Sequence, residues 1–153
     1  MSAEARLAEL GIALPEPPAP VASYVQATRT GSLIFVSGQI PIRDGSIPRT
    51  GLVGNDLTVE EGAEEARWCA LNCLAQVRAA AGTLDAVARI VKLTVFVASA
   101  PGFGRQPMVA NGASDLMVEI FGEAGRHARA AVGCSDLPLG APVEVELIAE
   151  LSV

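Results

Sequence analysis

Few residues in this chain of 153 are equipped for chemistry, and most of them gather near its C-terminal end. Arg129 opens a run of small residues, Ala130-Ala131-Val132-Gly133. Small neighbours leave room around a guanidinium, whose planar fork of donors suits a two-point grip on a carboxylate. A structural ion pair is the competing reading for such an arginine. Further on, Glu144 and Glu146 alternate with Val143, Val145 and Leu147. Both carboxylates therefore leave their strand on the side opposite those three apolar residues. They form a solvated face, or one of them reaches a cleft as an acid or base. Their spacing does not choose between the two.

His127 is the one histidine and lies in Gly125-Arg-His-Ala-Arg129. It is the one candidate base for triad chemistry, although a histidine placed just before a strand reads first as a loop or surface residue. No glycine loop with a phosphate-binding lysine, dinucleotide fingerprint or G-x-S-x-G elbow is present. Cys69 and Cys73 stand one helical turn apart. A tetrahedral zinc site would need further partners, and neither a second histidine nor a second cysteine pair supplies them. The two thiols read as small core hydrophobes. No metal or cofactor is expected.

Half the residues are hydrophobic and 18% are charged. That share of apolar residues can offset the entropy of ordering one domain. The low charge points to a surface partly buried against copies of the same chain. The net charge of −6 argues against a general nucleic-acid binder, which needs a basic face. Three cysteines, Cys134 being the third, do not make a disulfide framework. The segment Met1–Arg6 is polar, and no apolar run approaches the ~20 residues of a membrane helix. The expectation is a cytoplasmic protein with reduced thiols and no membrane contact.

These residues need elements to position them. Residues 3–10 form a short amphipathic helix closed by Gly11, and residues 14–20 carry four prolines in an extended arm. The arm, residues 1–20, is set apart from a domain over 21–153. Strands are expected at 22–29 and 32–37, with Thr30-Gly31 as the turn of a hairpin. A glycine- and proline-rich loop, expected to be partly mobile, leads to Asn55. Thr58 and Glu61 make a capping box that opens a long alanine-rich helix to about Ala81, stopped by Gly82. Residues 87–98 read as a central strand with both faces largely covered. A second helix follows at about 108–122, then strands at 129–133 and 143–151. Two helices on one face of a mixed sheet leave the other face to be covered by self-association.

Several strings resemble one family. Ala128-Arg-Ala-Ala-Val-Gly-Cys-Ser-Asp-Leu-Pro-Leu-Gly-Ala-Pro-Val-Glu-Val-Glu146 is similar to the C-terminal signature of the RidA/YjgF family. Tyr24-Val-Gln26, Phe35-Val-Ser-Gly-Gln-Ile-Pro41 and Lys92-Leu-Thr-Val-Phe-Val97 match earlier parts in order, so the resemblance covers about residues 20–153. It implies an α+β, chorismate-mutase-like fold assembled as a homotrimer with clefts between subunits. It also implies hydrolytic deamination of small 2-imino or enamine acids, without a cofactor. Arg129 would grip the substrate carboxylate and Glu144 would position water or protonate the leaving amine. Tyr24, Ser37, Gly38, Asn111 and Ala131 would line the cleft. The register of Asn111 to Arg129 is one residue off the family pattern. Ala131 stands where a cysteine is frequent, and His127 where a proline is frequent. These departures leave open a non-catalytic binder or sensor of small carboxylates. The name endoribonuclease, often attached to this longer branch, supplies a third reading, which the acidic balance disfavours.

Overall fold

The computed structural model describes residues 1–152. Its elements are helix α1 (Ala3–Leu10), strands β1 (Ala27–Thr30) and β2 (Leu33–Gln39), helix α2 (Val59–Ala81), strand β3 (Val87–Ala98), helix α3 (Gln106–Phe121), and strands β4 (Ala128–Cys134) and β5 (Val143–Leu151). The five strands make one mixed sheet in the order β1-β2-β5-β3-β4. Only β3 and β4 run parallel, and α3 forms the crossover between them. This is the α+β chorismate-mutase-like fold, with α2 and α3 on one face of the sheet.

Local chemistry explains the boundaries. The amide of Glu61 donates to Thr58 Oγ1 at 3.1 Å while the amide of Thr58 donates to Glu61 Oε2 at 2.8 Å, so the capping box closes and α2 begins. Gly82 ends that helix in the left-handed region with φ of 85°. Small residues on the buried side of α2 let α3 approach closely. A Cβ at Gly112 would fall 1.9 Å from the carbonyl oxygen of Ala63. Helix α3 starts two residues before the expected position, because Pro107 fits its first turn.

Two further expectations change. Residues 22–26 do not join β1; the chain bends there, with the amide of Tyr24 donating to the carbonyl of Ala22. The β3 run is covered on one face only within this chain. Leu93, Val95 and Val97 are buried beneath the helices, whereas Lys92 is exposed and Thr94 and Phe96 are half-buried. The open face also carries Phe35 and Val132, 40% and 45% exposed. The apolar continuity of β3 thus reports a second surface left without cover by the monomer's own helices.

The loop before α2 follows an anchored path. Arg43 pairs with Glu65 at 2.8 Å, and Arg49 pairs with Glu64 at 2.5 Å and Glu65 at 3.1 Å. The Arg43 guanidinium also stacks 4.7 Å above the Trp68 ring. Buried Asn72 donates to the carbonyls of Ile40 and Ile42, each at 3.0 Å. The first twenty residues are similarly stitched down. Glu4 pairs with Arg78, Arg6 donates to the carbonyl of Glu119 at 2.9 Å, and Leu10, Ile12 and Leu14 pack on the core. Cys69 and Cys73 are fully buried and donate to the carbonyls of Val143 and Val145. Burial pushes both thiols up, so they remain protonated structural donors.

Candidate active site

The residues singled out in the sequence fall into two groups at different places on the chain. The first group surrounds Arg129. Strand β4 is an edge strand, and Arg129 lies in register with Leu93 of β3, on the helix side of the sheet. Its Nη1 donates to Asn111 Oδ1 at 2.9 Å and to Ser114 Oγ at 3.1 Å, and its Nη2 donates to the carbonyl of Pro107 at 3.3 Å. All three acceptors belong to α3. A guanidinium has five N–H donors. Three are used, which leaves Nε–H and one hydrogen on Nη2 open. Among the described residues Arg129 has no carboxylate partner. The structural ion pair that competed with a ligand-binding role is therefore absent within the described chain.

Asn111 reaches Arg129 in spite of its shifted register. Ala131 lies two residues along β4 on the same side as Arg129, packed against the core. Ser114 was not apparent in the sequence. Its signal was its place three residues after Asn111, which puts the two side chains on one face of α3.

The second group surrounds Glu144. A cleft of about 490 Å³ opens at the end of β2 and β5, lined by Tyr24, Ser37, Gly38, Glu144 and the arm residues Pro18 and Ala19. The arm roofs this cleft because the carbonyl of Pro18 accepts the Gln26 amide at 2.9 Å and the Gln76 amide at 2.8 Å. Glu144 is half-buried, and Glu146 is exposed at the rim. Burial, reinforced by the charge of Glu146, raises the Glu144 carboxyl above its ordinary value. A raised carboxyl holds a proton more readily and is a stronger base when ionised, which suits a group that both takes and gives one. Tyr24 is 41% exposed at the mouth. The Ser37 hydroxyl donates to the carbonyl of Val25 at 2.7 Å, so it fixes the bend preceding β1.

Arg129 and Glu144 do not meet within one chain. Glu144 pairs across the sheet with Phe96, whereas Arg129 pairs with Leu93. Side chains alternate along a strand, so these odd-numbered separations place the two groups on opposite faces. They are also two strands apart and three residues out of register, roughly 10 Å in each direction. A ligand touching both needs a second copy of the chain.

The sequence profile of the family described as "YjgF/chorismate mutase-like, putative endoribonuclease" matches residues 4–151. The chain is 52% identical over 149 residues to Protein TCP17 of Trypanosoma cruzi, covering 97% of this chain and 93% of that protein. It is 31% identical over 137 residues to a 2-iminobutanoate/2-iminopropanoate deaminase of Dermatophagoides farinae, covering 90% and 92%. Among solved structures, Atu1372 of Agrobacterium tumefaciens, described as having unknown function, superposes with a TM-score of 0.89 at 49% identity over 99% of this chain and 94% of that one. Among the described residues, no helix is long and apolar enough to cross a membrane.

Proposed function

Because the chain belongs to the YjgF/chorismate-mutase-like family, we propose that it hydrolyses small reactive 2-imino and enamine acids to 2-keto acids and ammonia. The clefts form between copies of a homotrimer, each pairing the Arg129 group of one copy with the Glu144 group of the next. The observation that carries this reading is the Arg129 guanidinium, held on α3 by three acceptors with two donors left over. Two donors are what a bidentate carboxylate requires. The open sheet face with Phe35 and Val132 supports self-association. The relative from Dermatophagoides farinae supports the reaction class.

The chemistry asks little of the protein. An imine carbon is already electrophilic, so orientation and one proton relay are sufficient help. The substrate carboxylate binds Arg129, which fixes the C=N carbon near Glu144. A water oxygen adds to that carbon, and the C=N π pair moves to nitrogen. Ionised Glu144 takes a proton from the water and delivers it to the nitrogen, giving a carbinolamine. Glu144 then carries the hydroxyl proton to the amine as the C–N bond breaks, so ammonia leaves and the hydroxyl oxygen becomes the keto oxygen. An enamine first takes a proton at its terminal carbon and gives one up at nitrogen, which makes it the imine. No thiol is available at Ala131, so attack is by water throughout. The three cysteines are unpaired, which suits a reducing compartment such as the cytoplasm.

The test is coupled deamination of freshly generated imines from several amino acids, comparing wild type with Arg129→Ala. Arginine-dependent acceleration supports the reading. A second reading is a binder or sensor of small carboxylates, favoured by Ala131 and by the Ser37 hydroxyl already being engaged. Arginine-dependent binding of a keto acid without any acceleration would select it. The ribonuclease named in the family description finds little support in a chain of net charge −6.

A further inference from the structure

His127 and Ser114 lie beside Arg129 in a cleft of about 370 Å³, which Arg126 and Val118 also line. His127 Nδ1 is 2.6 Å from the carbonyl oxygen of Gly125, and its Nε2 is 2.9 Å from Ser114 Oγ. A carbonyl only accepts, so Nδ1 carries the proton and a neutral ring presents Nε2 as an acceptor. The Ser114 hydroxyl then donates to Nε2, and its lone pair faces Arg129 Nη1 at 3.1 Å. The contact resembles an activated serine. Here, however, the oxygen also accepts a charge-assisted bond from a guanidinium, which draws electron density from it and weakens it as a nucleophile.

We propose that Ser114 and His127 are positioning residues for carboxylate binding: the Gly125 carbonyl, His127 and Ser114 form a relay that fixes the rotation of the Arg129 guanidinium. The proposal rests on the carboxylate-binding role assigned to Arg129 above. With Asn111, the relay occupies both hydrogens on Nη1, and so Nε–H and one Nη2 hydrogen are presented to the ligand. Each link has one orientation only. The carbonyl sets the ring tautomer, the ring sets the hydroxyl, and the hydroxyl sets the guanidinium. Without the relay, Arg129 keeps Asn111 and the Pro107 carbonyl but regains rotational freedom, which binding must then remove.

The experiment titrates pyruvate into the protein by calorimetry and measures KM and kcat with freshly generated 2-iminopropanoate. The variants are Ser114→Ala, Ser114→Thr, His127→Ala, Arg129→Ala and the Ser114→Ala/His127→Ala double, each checked by thermal melting. The expected result is about tenfold weaker pyruvate binding and about tenfold higher KM in both single alanine variants, with kcat within about twofold. Ser114→Thr restores binding because its hydroxyl keeps both contacts, and the double variant is no worse than either single one. Unchanged binding in Ser114→Ala and His127→Ala, beside loss in Arg129→Ala, overturns the relay and leaves the carboxylate site standing. A fall in kcat at constant KM overturns it also. Absence of any Arg129-dependent binding in the wild type overturns the carboxylate site itself and the relay with it.

Discussion

The Glu144 carboxylate occupies the space where a side chain on residue 38 would begin: a Cβ at Gly38 would fall 2.1 Å from Glu144 Oε1. The glycine is therefore a seat for the carboxylate, not a requirement of backbone conformation. Gly38→Ala meets the far end of a flexible side chain, so the fold survives by moving Glu144. The expected outcome is a fall in kcat of about tenfold or more, with the melting temperature within a few degrees of wild type. A fully active Gly38→Ala enzyme would mean that the position of Glu144 is irrelevant to turnover.

Glu144→Gln keeps the shape and removes the proton relay. Its kcat should fall roughly 10²-fold. Its stability should move the other way. The folded carboxyl is raised above its ordinary value of 4.5 by burial and by Glu146. The stability contributed by the protonated form is therefore complete below pH 4.5 and is lost as pH rises through the folded value. At pH 7 the ionised group costs stability, so the glutamine variant should melt at or above the wild type. At pH 4 that advantage should disappear. Calorimetric scans at the two values check the sign, and a glutamine variant less stable at pH 7 than at pH 4, relative to wild type, contradicts it.

Glu65 tests the anchored loop. Its side chain has no exposure, and it holds Arg43 and Arg49, which are 22% and 36% exposed. Removing one partner of a fully buried pair costs roughly 3–5 kcal/mol. Both arginines keep water here, so Glu65→Ala should cost about 2 kcal/mol by urea denaturation, and the 40–57 segment should become more sensitive to protease. No change in either measurement would show that the loop's path does not depend on these ion pairs.

Much of this frame was legible in the chain. The capping box at Thr58 and Glu61, the stop at Gly82 and the alternation of Val143 to Leu147 are local signals, each with a local physical cause. They placed α2 and β5 almost to the residue. The bend at 22–26 was not legible, because Tyr24 and Val25 look like strand residues and the reason they turn lies elsewhere. The carbonyl of Pro18 holds Gln26, and Ser37 holds Val25. The loop anchored on Glu65 was hidden for the same reason: glycine and proline report flexibility locally, whereas the arginines' partners are supplied by α2. At the site, small residues around Arg129 signalled room for a ligand. That Arg129 and Glu144 face opposite ways followed only from strand order and register, and the contribution of Ser114 only from its contact with His127.

In the proposed assembly one cleft takes Arg129 from one copy and Glu144 from another. The direct measurement mixes two crippled proteins, Arg129→Ala and Glu144→Gln, under conditions that allow subunits to exchange, and then assays imine hydrolysis. Random pairing in a closed ring makes about one quarter of the clefts fully wild type. The mixture should recover about a quarter of wild-type activity, far above the residual activity of either variant alone. Demonstrated exchange without recovered activity would contradict it, and would mean that Arg129 and Glu144 do not serve a shared cleft.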